Sequence, residues 1–143
     1  MDMKNILIIS LFFCLSNICS VYAQTVIDET KLYNKVWVID LPEGKSYSTE
    51  LTFNNGEYIN CFVFNGKRYE IKYYFYLSNS NDIYSATKAL KASNNKGKYI
   101  VCQNMNKSID GENFEIIELT DNTLKIKNLS NNSVISCKVK NQQ

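Results

Sequence analysis

The chain lacks histidine altogether, and it has only one proline and five glycines. Without histidine, neither a Ser-His-Asp triad nor a Cys-His pair can form, and the commonest metal ligand is missing. The glycines stand singly, so no glycine-rich loop is present to cradle a phosphate group. These absences exclude the most familiar hydrolase and nucleotide sites and disfavour a metal site.

Charge is sparse and balanced, with 16 basic and 14 acidic residues and a formal net charge of +2. Binding to nucleic acid or to an anionic membrane depends on clustered positive charge, which this sequence does not have. Aromatic and basic residues do alternate over residues 67–74, a pattern that can stack single-stranded bases. The near-neutral charge argues against that function, and we expect no nucleic-acid partner.

Carboxylate pairs are the remaining route to catalysis. Glu115 and Glu118 fall on opposite faces of one predicted strand, so their carboxylates cannot converge. Glu57 and Glu70 could lie across a predicted hairpin near partner positions, but basic residues flank Glu70, as on a solvated, salt-bridged face. We therefore expect no enzyme activity, no metal ion and no cofactor.

The one long apolar run lies at the N-terminus. An apolar run spans residues 6–15, interrupted only by Ser10; Lys4 precedes it, and the small-residue end Val21-Tyr22-Ala23 follows. This order is typical of a secretory signal, and the run is too short to span a membrane. We predict that residues 1–23 are a signal peptide cleaved after Ala23, and that residues 24–143 are exported to the periplasm or the outside of the cell.

The cysteines fit export but leave their pairing open. Lipid attachment at Cys19 is disfavoured, because Ile18 stands where lipoprotein signals usually carry a small residue. Cleavage leaves Cys61, Cys102 and Cys137, which lack the C-x-x-C spacing of zinc sites. An exported domain permits one disulfide among them, whereas their apolar neighbours favour three buried thiols.

Residues 24–143 are long enough for one domain, and their pattern predicts strands almost throughout. A helical turn at residues 28–33, capped by Asp28, precedes the strands. The longest loop is expected at residues 87–97. The predicted strands span residues 36–41, 47–53, 57–64, 68–77, 98–103, 113–119, 123–129 and 134–139, and residues 83–86 are at most one more short strand.

Residues 52–77 contain the clearest fold signal. Two Asn-Gly pairs, Asn55-Gly56 and Asn65-Gly66, separate three aromatic-rich runs, and such pairs favour the type I′ turns of tight hairpins. Eight or nine strands joined by short turns predict an all-β, antiparallel up-and-down meander. A barrel is favoured over a sandwich, because closure removes exposed strand edges.

Aromatic residues are the positive signal for function. The chain has ten tyrosines, seven phenylalanines and one tryptophan, concentrated around residues 47–76. Inward rings can line an apolar ligand pocket, although strands also favour them for ordinary core packing. Residues 57–64 are apolar on both faces, and Tyr74 and Tyr76 point outward, so contact with a protein partner is a second hypothesis.

Several segments resemble a known family. Residues 32–37, LYNKVW, look like the start of lipocalin-type calycin barrels, and residues 51–53 before an Asn-Gly turn are similar to the second strand of small secreted bacterial lipocalin-like domains. Residues 97–101 and 114–126 resemble their later strands.

The resemblance implies a non-enzymatic binding protein for a small apolar or amphipathic ligand. Trp37 would close the barrel base, and the open end would be lined by Phe53, Tyr69, Tyr73 and Phe75. The alternative is a protein-interaction module, such as a periplasmic inhibitor or an immunity-type protein.

Overall fold

The computed structural model describes residues 26–91, 96–107 and 111–140, without the side chain of residue 91. The predicted signal peptide, its cleavage site and Cys19 lie outside these residues. The described strands are β1 (Val36–Ile39), β2 (Tyr47–Asn54), β3 (Glu57–Phe64), β4 (Lys67–Ser78), β5 (Tyr99–Asn104), β6 (Phe114–Leu119), β7 (Thr123–Asn128) and β8 (Val134–Val139). They follow one another around a closed antiparallel barrel, and β8 pairs back with β1. The predicted all-β meander is confirmed. It closes as a barrel, which was favoured over a sandwich.

Two short helices lie outside the sheet. A 3-10 helix, Glu29–Leu32, begins at Asp28, whose Oδ1 accepts a 3.0 Å hydrogen bond from the backbone N–H of Thr30. This confirms the predicted helical turn. The α-helix α1 (Ala86–Lys91) begins within the predicted extra strand at residues 83–86. That strand prediction is wrong, and the described residues contain eight strands.

The two Asn-Gly turns differ in geometry. Asn65 and Gly66 both have positive φ, 48° and 72°, as a type I′ turn requires. In the other turn Gly56 has φ of 74°, but Asn55 is not among the described non-glycine residues with positive φ. That turn is a two-residue hairpin connection of another type, so its predicted type I′ geometry is wrong although the hairpin is present.

The core occupies the inner face of the barrel. Strand alternation places one side chain in two inward, and the N-terminal segment adds Ile27 and Leu32 to the same cluster. The indole Nε1 of Trp37 donates a 3.1 Å hydrogen bond to the carbonyl oxygen of Leu32. This bond attaches the 3-10 helix to the barrel where β1 begins. The largest fully buried side chains include Trp37, Phe53, Phe75, Leu32, Leu51, Ile100, Leu124 and Ile126.

Candidate functional site

The β3–β4 hairpin extends beyond the end of β5. β4 has twelve residues, but β5 pairs only with its last six, from Tyr73 to Ser78. The other half of β4 pairs with β3 on one side. On its other side, no strand among the described residues pairs with residues 67–71. No described strand therefore closes the barrel wall beside this half of the hairpin.

Register identifies the side chains on that inner face. Tyr58 of β3 lies opposite Tyr73 of β4, and both are buried in the core. Because side chains alternate along a strand, residues an even number of positions away from these two share the inner face. Four such residues, which we call the apolar rim, are 37–54% exposed: Phe62, Phe64, Tyr69 and Ile71.

The rings of the apolar rim form a continuous surface. Phe62 and Phe64 stack with their centroids 6.4 Å apart, and Tyr47 of β2 packs on Phe62 at 4.9 Å. Tyr69 lies directly opposite Phe62 in the β3–β4 ladder. Contiguous exposed apolar side chains of this kind mark ligand-binding or protein-binding surfaces.

The four residues predicted to line the open end do not lie together. Phe53 and Phe75 are fully buried, with ring centroids 5.3 Å apart, and Tyr73 is buried against Tyr58 at 5.1 Å. Tyr69 alone belongs to the apolar rim, where it is 54% exposed. The structure thus places three of the predicted residues in the packed core and one in the apolar rim. Ligand contact by any of the four stays a prediction.

Trp37 lies in the core beside the 3-10 helix and is fully buried. Its role as the barrel base stays an implication of the resemblance. Sequence reasoning missed Phe62, Phe64 and Ile71 as site residues. The apolar character of both faces of β3 was the available signal, but it did not show which face would be exposed.

Polar groups lie where the apolar rim meets the core. Asn104, the last residue of β5, faces Tyr73 across the β4–β5 ladder and is 2% exposed. Its Oδ1 accepts a 2.7 Å hydrogen bond from the backbone N–H of Asn106. Burial raises the pKa of Tyr73, and the nearby Asn104 amide opposes this rise. The Nδ2 atom of Asn104 nevertheless makes no well-formed hydrogen bond within the described part of the chain.

The carboxylate of Glu112 acts on Tyr73 and on a second buried core residue, Cys102. Glu112 Oε2 accepts a 2.9 Å hydrogen bond from Nδ2 of Asn128, a buried residue at the end of β7. After burial itself, the negative charge of Glu112 is the next influence that raises the pKa of Cys102. It contributes to the raised pKa of Tyr73 as well. The inner end of the site therefore combines a buried amide donor with a nearby negative charge.

The outer face of the barrel carries an ion-pair cluster. Glu50, on β2, is 5% exposed, and its carboxylate accepts bonds from Arg68 at 3.0 Å and Lys140 at 2.8 Å. Burial raises the pKa of Glu50, but the bonds from Lys140 and Arg68 outweigh burial and hold this pKa below its usual value. Cys61, opposite Glu50 in the ladder, is buried on the same face. Glu50 and Arg68 come from the two strands that flank β3, so their ion pair crosses the outer face of β3 near Cys61.

The outward tyrosines of β4 differ in exposure. Tyr76 is 2% exposed, because Tyr84 packs over it with ring centroids 5.5 Å apart. Its hydroxyl also donates a 3.4 Å hydrogen bond to the carbonyl oxygen of Ile83. Tyr76 is therefore not an exposed contact residue, and that expectation is wrong. Tyr74 remains partly exposed.

The three described cysteines are buried and form no disulfide, so the prediction of three buried thiols is confirmed. Burial raises the pKa of Cys102 far above its usual value and that of Cys137 to about 12. Such thiols stay protonated at neutral pH and are poor nucleophiles. Within the described ranges, cysteines and acidic residues form no group suited to a metal ion. None of the described helices has the length and apolar character that a membrane span requires.

Comparison of the chain with family models, curated proteins and solved structures finds no match. Its likeness to lipocalins is therefore one of architecture: an eight-stranded antiparallel up-and-down barrel.

Proposed function

We propose that this chain is an exported, non-enzymatic binding protein whose lipocalin-like barrel holds a small apolar or amphipathic molecule at the apolar rim. The observation that carries the proposal is the exposure of four large apolar side chains on the inner face of one hairpin. A molecule lying against these side chains would remove their surface from water, which is favourable by about 25 cal/mol per Å². The signal-like N-terminus supports export.

The polar groups at the inner end of the apolar rim favour one orientation of the ligand. The Asn104 side chain interacts with Tyr73, but its buried Nδ2 has no well-formed bond within the described residues, and a buried donor with poorly formed bonds costs free energy. A ligand carbonyl or hydroxyl oxygen can accept this bond. The nearby Glu112 carboxylate disfavours an anionic group. We therefore propose a ligand with a neutral, oxygen-bearing head and an apolar body that lies along the rim.

A matched pair of isoleucine variants tests the site. Ile71 is in the apolar rim, whereas Ile117 of β6 is similarly exposed elsewhere. The neutral fluorophore N-phenyl-1-naphthylamine should bind the mature protein with a rise in fluorescence. We expect Ile71→Ser to weaken binding by about tenfold, because one buried aliphatic side chain contributes about 1.5 kcal/mol. Ile117→Ser should leave the affinity unchanged.

Equal loss of affinity in both variants, or no binding by the unsubstituted protein, would contradict the proposed site. Native mass spectrometry of protein purified from its export compartment supplies an independent test. A co-purified small mass that is absent from Ile71→Ser supports the ligand-binding function.

A protein-interaction module is the second candidate. It is favoured by the strand edge at residues 67–71, which lies beside the apolar rim and pairs with no described strand. Native mass spectrometry separates the two candidates, because an inhibitor or immunity-type function predicts an adduct of protein mass.

A further inference from the structure

The edge of β4 at residues 67–71, which pairs with no described strand, presents its backbone groups in a defined order. The carbonyl oxygen of Lys72 accepts a 3.0 Å bond from the N–H of Met105, on the β5 side. The N–H of Phe75 donates a 3.0 Å bond to Gly56, on the β3 side. In an antiparallel strand both backbone groups of one residue point to the same side, and the side alternates along the chain. The N–H and C=O groups of Arg68 and Glu70 therefore point to the edge where no described strand pairs.

The length of this edge restricts what can pair with it. Met105 already occupies the position beside Lys72, and the Asn65-Gly66 turn precedes Lys67. The stretch of this edge that pairs with no described strand is thus residues 67–71, with Tyr69 at its centre. If a second copy pairs antiparallel along the whole stretch, each residue lies opposite its mirror position about Tyr69. Arg68 then faces Glu70 of the other copy, and the reverse contact is made by symmetry.

The charges select the same register. In the edge pairing centred on Tyr69, both outward cross-strand pairs join a guanidinium to a carboxylate, which is favourable. If the pairing is centred one residue later, Glu70 faces Glu70 and Arg68 faces Lys72, so like charges oppose each other. Arg68 bonds Glu50 within its own chain at 3.0 Å, but its guanidinium has five N–H donors and can bond a second carboxylate. Length and charge therefore agree on one arrangement.

We propose that two copies of this chain associate through residues 67–71 of β4, paired antiparallel about a two-fold axis at Tyr69. Four backbone hydrogen bonds form between Arg68 and Glu70 of the two copies. The two Tyr69 side chains meet on the inner face, which joins the apolar rims of both barrels. This association does not depend on the proposed ligand.

Cysteine capture tests the register. Residues directly opposite in a non-hydrogen-bonded antiparallel pair have Cα atoms about 4.5 Å apart, within disulfide range. Under mild oxidation, Tyr69→Cys should give a disulfide-linked dimer on non-reducing electrophoresis. Glu70→Cys should give little, because its partner position is Arg68. Ile117→Cys controls for random collision, and the unsubstituted protein controls for its own buried thiols.

A backbone variant provides the second test. Glu70→Pro removes an N–H that points to the edge and leaves the hydrogen bonds to β3 intact. Sedimentation velocity at about 100 μM should show a dimer fraction for the unsubstituted protein and its loss in Glu70→Pro, with circular dichroism confirming the fold. A purely monomeric unsubstituted protein, or equal cross-linking of all three cysteine variants, would overturn the proposal.

Discussion

Glu50 illustrates how a single carboxylate is kept charged in a place where water is nearly excluded. Arg68 and Lys140 supply the bonds that water would otherwise make, and both cations remain about half exposed. The folded-state pKa of Glu50 is therefore lower than its unfolded value. This difference contributes stability above the unfolded pKa, and the contribution is lost as the pH falls through the folded pKa.

The variant Glu50→Gln tests this account. At pH 7 we expect the free energy of unfolding to fall by about 1–2 kcal/mol, because bonds to a charged group are replaced by weaker ones. At pH 3, below the usual pKa of a glutamate, the difference between the variant and the unsubstituted protein should be smaller, because part of the contribution has been lost. Urea denaturation at both values of pH measures the difference. Glu43→Gln, at an exposed turn, should have no measurable effect, and a pH-independent deficit in Glu50→Gln would contradict the electrostatic explanation.

Among the elements, the connection that enters β5 is fixed by close backbone approach. The N–H of Gly97 donates a 2.9 Å bond to Ile27, so this residue joins the N-terminal segment to the barrel. A Cβ atom at Gly97 would lie 2.1 Å from the carbonyl oxygen of Ser78, a contact that real side chains do not make. The chain can therefore keep this path only with glycine.

Alanine variants at two glycines separate close approach from backbone strain. Gly97→Ala must displace the end of β4, and we expect it to lower the free energy of unfolding by about 3 kcal/mol. Gly44→Ala adds a Cβ in open space at φ of 83°, and it should lose about 1 kcal/mol through the left-handed conformation alone. Chemical denaturation ranks the two. If Gly97→Ala loses no more free energy of unfolding than Gly44→Ala, the β4–β5 connection can shift to accommodate the added Cβ atom.

For the whole molecule, closure makes one cooperative unit. Each strand pairs with two neighbours and all contribute to one core, so no part of the described barrel has a separate hydrophobic centre. Trp37 is the only tryptophan of the chain and is fully buried in that core. Its fluorescence therefore reports on the barrel as a whole.

We expect unfolding in urea to be two-state. The emission of Trp37 should shift to longer wavelength in one transition that coincides with the loss of β-sheet circular dichroism, because the indole leaves the core only when the barrel opens. Removing the 3-10 helix bond with Trp37→Phe should lower the midpoint without adding a second transition in circular dichroism. Two separate transitions in the unsubstituted protein would contradict the single-core interpretation.

The sequence alone determined the elements that depend on neighbouring residues. Apolar runs bounded by turn residues, several of them alternating, predicted all eight strands, with β3 and β8 at their observed bounds, and Asp28 predicted the start of the helical turn. The shared inner face of Tyr69, Tyr73 and Phe75 was also correct. These features follow from the two-residue period of a strand and from local hydrogen bonding.

Only the tertiary structure decided which of these residues are covered. Tyr69 and Tyr73 lie on one face of one strand, four positions apart, yet Tyr69 is 54% exposed and Tyr73 is 9% exposed. The difference arises because β5 pairs with only half of β4, and this stagger is set by closure of the whole barrel. No local pattern records that stagger. The sequence predicted the inward rings, and the stagger of β4 against β5 determined which of them form the packed core and which form the apolar rim.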